Sequence, residues 1–122
     1  MRWASAVLGA TGGTAPVSIL LCGDVRMRTL NRTYRGKDRP TDVLSFPSGA
    51  PGFLGDLAID VPCAARQARR LGHGLAREVQ ILLVHGLLHL RGYDHETDNG
   101  EMFALQGKTV RRLFGDGPDG VP

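Results

Sequence analysis

The chain has 122 residues, 42% hydrophobic and 22% charged, with a formal net charge of +3. That composition is ordinary for a globular protein, and the length fits a single domain, residues 1–122, burying roughly two thirds of its unfolded surface. No apolar run reaches the ~18 residues of a membrane span, and the apolar patch in MRWASAVLGATGG is short for a signal peptide, so a cytoplasmic protein away from membranes is expected.

Pro16 to Cys22 (PVSILLC) is apolar and rich in β-formers, and predicts a mostly buried strand. Gly23 follows, and Asp24 is suited to cap a short helix whose apolar side is Val25, Leu30 and Tyr34. Gly36 to Thr41 is a polar loop, and Val43 to Phe46 a short strand ended by Pro47. Ser48 to Gly55 is a loop carrying three glycines and a proline, and Asp56 to Val61 alternates as a strand does. Pro62 suits the first position of the next helix, which Gly72 closes. Leu75 to Arg91 is apolar nearly all round, the signature of a buried helix, and Gly92 stops it. Thr97 or Asp98 then caps an amphipathic helix running to about Phe114, and residues from about 115 to 122 form a disordered tail. The order β-α-β-β-α-α-α predicts an α+β domain with a small mixed sheet packed with helices.

Three of the four histidines lie in HGLLHLRGYDH, His85 to His95. His85 and His89 are four apart on a helix, so they share a face one turn apart. Gly92 can take the left-handed conformation that ends a helix and turns the chain back, which brings His95 towards the same point. One histidine on a buried helix is usually a satisfied core residue. Two imidazoles without partners on an apolar helix would cost several kcal/mol, a penalty that a metal removes. Three imidazoles leave a fourth position open, as catalytic zinc sites do. The spacing is that of the metzincin proteases, but Gly86 stands where those carry the glutamate that acts as general base. The metal geometry is thus zincin-like, and peptidase chemistry is not supported.

HGLLHLRGYDH resembles the signature of the YbeY family, bacterial metal-dependent endoribonucleases of ribosomal RNA maturation. LNRTYRGKDRPTDVLSFP (Leu30 to Pro47) and GDLAID (Gly55 to Asp60) are similar to further blocks of that family. The resemblance implies one zinc ion per chain on His85, His89 and His95, Arg35 as the functional arginine beside it, and a fold similar to zinc proteases. It implies single-stranded RNA as substrate, notably the 3′ region of small-subunit ribosomal RNA. It also implies a part in ribosome quality control, and partners on the small subunit: a ribosomal protein and a GTPase. Family members carry a further strand and most of a helix before the segment near Pro16. Here Trp3 to Leu8 resembles the end of that helix, so either the start site is placed too late or the sheet lacks its N-terminal strand.

Arg35 is the candidate for stabilising phosphate charge in the transition state. Asp94, beside His95, is expected to shape the turn after Gly92 or to orient a ligand imidazole, more than to act directly. Asp42 and Asp56 are strand-edge residues or partners for Arg35. Tyr93 packs or stacks a base, and His73 is an exposed loop residue. Positive charge is almost all arginine, with lysine only at Lys37 and Lys108. Arg26, Arg28, Arg32, Lys37 and Arg39 either track an RNA backbone or are simply solvated. Cys22 and Cys63 form no disulfide framework and read as small buried thiols. The alternative to an enzyme is a non-catalytic ribosome assembly or RNA-binding factor with a structural zinc. That needs a fourth protein ligand which the sequence does not offer.

Overall fold

The structure, a computed structural model, describes residues 15–115. Its elements run β1 (Val17–Cys22), α1 (Asp24–Arg35), β2 (Val43–Pro47), β3 (Gly55–Asp60), α2 (Val61–Leu71), α3 (Leu75–Leu90) and α4 (Glu101–Phe114). The architecture is α+β, with the expected order of elements. The strands form one mixed sheet in the order β1-β3-β2, with β1 parallel and β2 antiparallel to β3. Among the described residues β1 is therefore an edge strand. The segment from Trp3 to Leu8 and the tail beyond Gly115 lie outside the described residues.

β3 lies at the centre, and its alternation assigns its side chains to two faces. Leu57 and Ile59 turn towards α3, while Ala58 packs with Met27 of α1 and Leu44 of β2. The main core is Leu57 with Leu83, Val84, Leu87 and Leu88 of α3, closed by Met102, Val110 and Phe114 of α4. Gly86 lets α3 approach the sheet closely. A Cβ there would stand 2.7 Å from Leu57 Cδ2 and 3.4 Å from Ser45 Oγ, while the Ser45 hydroxyl donates to the Gly86 carbonyl at 3.2 Å.

Several local expectations change. The buried side of α1 is Met27 and Asn31, whereas Val25 and Tyr34 are exposed. Asn31 is drawn inward because its Nδ2 donates to the Arg39 carbonyl at 2.9 Å. Gly23, not Asp24, caps α1, and Pro62 is the second residue of α2 because Asp60 caps that helix one position earlier than expected. Gly100 occupies the N-cap of α4, although the Asp98 carboxylate still accepts from the N–H groups of Gly100 and Met102. α3 is not apolar all round: Arg77, Glu78 and Gln80 are buried in it. Arg77 donates to the Gly115 carbonyl at 2.6 Å, and Glu78 meets His73 Nε2 at 2.7 Å, so His73 is a half-buried partner rather than an exposed loop residue. Cys22 and Cys63 are free and half-buried.

One buried carboxyl sits where β3 passes into α2. Asp60 has no exposed surface, and its Oδ1 accepts the Cys63 N–H at 3.3 Å while Oδ2 finds no donor among the described residues. Burial, then the neighbouring Asp24, push its pKa up to about 6. Asp24, held by Arg66 through bonds of 2.9 and 3.0 Å and next by Asp60, is lowered to about 2. A proton on Asp60 turns it into a donor towards Asp24 and resolves the orphaned oxygen. A raised carboxyl contributes stability that is present below the ordinary value near 3.8 and lost as pH rises through about 6. Asp60→Asn keeps the capping oxygen and never ionises. It is expected to melt roughly 4 °C above wild type at pH 8 and level with it at pH 4, by thermal unfolding monitored at both pH values. A variant no more stable at pH 8 removes the neutral-carboxyl reading.

Candidate metal centre

α3 carries His85 and His89 on one face, and the helix gives out at Leu90, with Arg91 as its cap. Gly92 takes a φ of 97°. Its N–H donates to the His89 carbonyl at 3.0 Å, and the Tyr93 N–H to that of Leu88 at 3.1 Å. Asp94 then builds the next turn: its Oδ1 accepts the Glu96 N–H at 3.0 Å and its carbonyl accepts from Thr97 and Asp98. That path returns His95 to the helix. Ring centroids lie 4.7 Å apart for His85–His89, 5.4 Å for His85–His95 and 5.3 Å for His89–His95. One nitrogen from each ring falls within 4.8 Å of the others, and all three residues are half-buried.

The donors suit a metal ion. Burial, then the charges of His85 and His95, lower the His89 pKa, which keeps its lone pair available. Among the described residues the cluster is three imidazoles, a nitrogen donor set unlike the oxygen ligands that calcium and magnesium want. His85 Nδ1 lies 2.7 Å from Gln106 Oε1 of α4. Phe103, one turn earlier on α4, sets its ring 4.9 Å from that of His95 and 6.0 Å from that of His85. The sequence reading missed both residues. The spacing of Phe103 and Gln106, three apart on one helix, shows that they share a face but not what that face meets.

The histidines line a cleft of about 680 Å³ together with Arg35, Lys37, Ser45, Tyr93 and Asp94. Arg35 ends α1, and its Nη2 donates to the Ser45 carbonyl at 2.7 Å while the guanidinium lies 5.8 Å from the Phe46 ring centre. Asp42 reaches the same cleft, but its carboxylate accepts from the Val43 N–H at 2.8 Å and Gln67 Nε2 at 3.3 Å rather than from Arg35. Asp56 lines a separate hollow with Ser18, Leu20 and Tyr34. In the arginine cluster, Arg28 and Arg32 are drawn to Asp38 at 2.8 and 3.6 Å, which leaves less free charge on α1 than the sequence suggests. Among the described residues no helix is long and apolar enough to cross a membrane.

Comparison with known proteins returns one consistent family. The family model described as Endoribonuclease YbeY matches residues 3–113. A relative named Endoribonuclease YbeY from Solibacter usitatus is 52% identical over 99 residues, 81% of this chain and 67% of the relative. Another of that name from Aquifex aeolicus is 50% identical over 105 residues, covering 82% of this chain and 70% of the relative. The solution structure of TM1509 from Thermotoga maritima superposes with a TM-score of 0.70 at 32% identity, covering 93% of this chain and 78% of that one.

Proposed function

Since this chain belongs to the YbeY family, we propose that it is an endoribonuclease of ribosomal RNA processing, with its reaction centre in the histidine cleft. The observation that carries this reading is the convergence of three half-buried imidazoles on a cleft that also holds Arg35. His85, His89 and His95 hold one metal ion, and zinc fits the all-nitrogen donor set. When bound, such an ion supplies Lewis-acid stabilisation of a phosphoryl oxygen and acidifies water.

The remaining chemistry belongs to this chain's own residues. Arg35 binds a phosphate oxygen with the donors not given to Ser45 and balances the charge that grows in the transition state. Its bond to the Ser45 carbonyl and its seat beside Phe46 hold the guanidinium in place before substrate arrives. Asp94 keeps the turn that presents His95. Lys37 adds positive charge at the cleft, and Tyr93, partly exposed there, offers a ring to an unstacked base. An open cleft of this kind accepts single-stranded RNA, and the 3′ region of small-subunit ribosomal RNA is the natural substrate. The protein acts in the cytoplasm with the small ribosomal subunit and its associated proteins, including a ribosomal protein and a GTPase, and in ribosome quality control. The non-catalytic alternative loses ground because the cluster has three protein ligands among the described residues, one short of a closed structural zinc site.

The test is cleavage of a single-stranded RNA and of its matched duplex by wild type and Arg35→Ala. Wild type is expected to cut the single strand in preference to the duplex. Arg35→Ala is expected to retain its metal and to cut about 10²–10³-fold more slowly, the usual loss for one transition-state donor. Normal cleavage by the variant would remove Arg35 from the reaction, and no cleavage by wild type would favour the assembly-factor reading.

A further inference from the structure

We propose that Gln106 is the positioning residue of the metal centre, fixing the tautomer and direction of His85 from the neighbouring helix. The inference rests on the reading of the three histidines as metal ligands. A ligating imidazole needs a lone pair on one nitrogen and its proton on the other. His85 Nδ1 stands 2.7 Å from the Gln106 side-chain oxygen, which can only accept. The proton therefore sits on Nδ1, and the Nε2 lone pair is left for the site. With the amide reversed, its NH₂ would demand the Nδ1 lone pair and leave Nε2 protonated and unable to ligate. One amide orientation thus decides whether His85 is a ligand.

The placement of Gln106 is independent of the histidine segment. It arrives from α4, which is held on α3 by Met102, Val110 and Phe114 through the main core. His89 obtains its partner differently, from the backbone at Tyr93, which the turn itself supplies. Among the described residues the partner of His85 Nδ1 is the Gln106 oxygen, which the packing of α4 provides. Phe103, on the same face of α4, lies against His95 and His85 and limits the swing of both rings.

The experiment compares wild type, Gln106→Leu and Gln106→Glu. Each is stripped of metal, titrated with zinc against a chromophoric chelator, and separately loaded with cobalt for its visible spectrum. Gln106→Leu is expected to bind zinc about 10–100-fold more weakly and to show an altered cobalt spectrum. Gln106→Glu restores an acceptor at the same reach and is expected to match or exceed wild type. Thermal unfolding of the metal-free proteins separates this from a folding defect, since all three should melt alike. Wild-type affinity in Gln106→Leu, or an equal loss in Gln106→Glu, overturns the proposal. Absence of zinc binding by wild type itself overturns the metal reading on which it rests, and is told apart by failing in all three proteins.

Discussion

His89→Ala is expected to lose its metal ion and to cleave single-stranded RNA about a thousandfold more slowly than wild type. His89 is the middle of the three imidazoles, and its ring is close to both others, at 4.7 and 5.3 Å. Its removal leaves two imidazoles, too few to hold an ion against water. A metal supplies several kcal/mol of transition-state stabilisation, and 4 kcal/mol corresponds to about a thousandfold in rate. The fold should survive, because His89 is only half-buried and the core of α3 is Leu83, Val84, Leu87 and Leu88. Metal content by atomic absorption and cleavage by the two proteins purified side by side check both halves. Equal cleavage by both would assign the activity to a contaminating nuclease.

Gly86→Glu has the second largest expected effect, and it falls on stability. The substitution writes the metzincin H-E-x-x-H sequence into this chain, yet no peptidase should result. A side chain at this position points into the sheet, with its Cβ 2.7 Å from the fully buried Leu57. A glutamate there would be forced among apolar groups, where an uncompensated charge costs about 3–5 kcal/mol. That is a large share of the 5–15 kcal/mol typical of a whole domain, so the variant should melt far below wild type or fail to accumulate. Peptide cleavage by a well-folded Gly86→Glu protein, abolished by a chelator, would contradict this account.

Most of the architecture could be read from local pattern. The strands alternate, Gly72 ends one helix and Gly92 marks the end of the next, and the histidine spacing depends on nothing beyond one helix and one turn. What could not be read depends on distant partners. Asn31 looks like a surface residue until the Arg39 carbonyl is found to hold it. Asp24 looks like a cap until Arg66, 42 residues away, claims its carboxylate. His73 looks like a loop residue until Glu78 turns inward beneath it. Gln106 carries no signature, since its role exists only where α4 crosses beside His85, 21 residues earlier.

The three imidazoles all fall within the stretch His85 to His95. An ion that bridges so short a segment closes only a small loop, and the chain entropy it removes is correspondingly modest. The leucines that anchor α3 pack against Leu57 and α4, not against the imidazole rings. The centre is therefore a clasp fastened onto a finished fold rather than a rivet through its core. An ion held there would be stripped and reloaded without the chain having to unfold, so removing it by a chelator should leave the melting of the protein little changed.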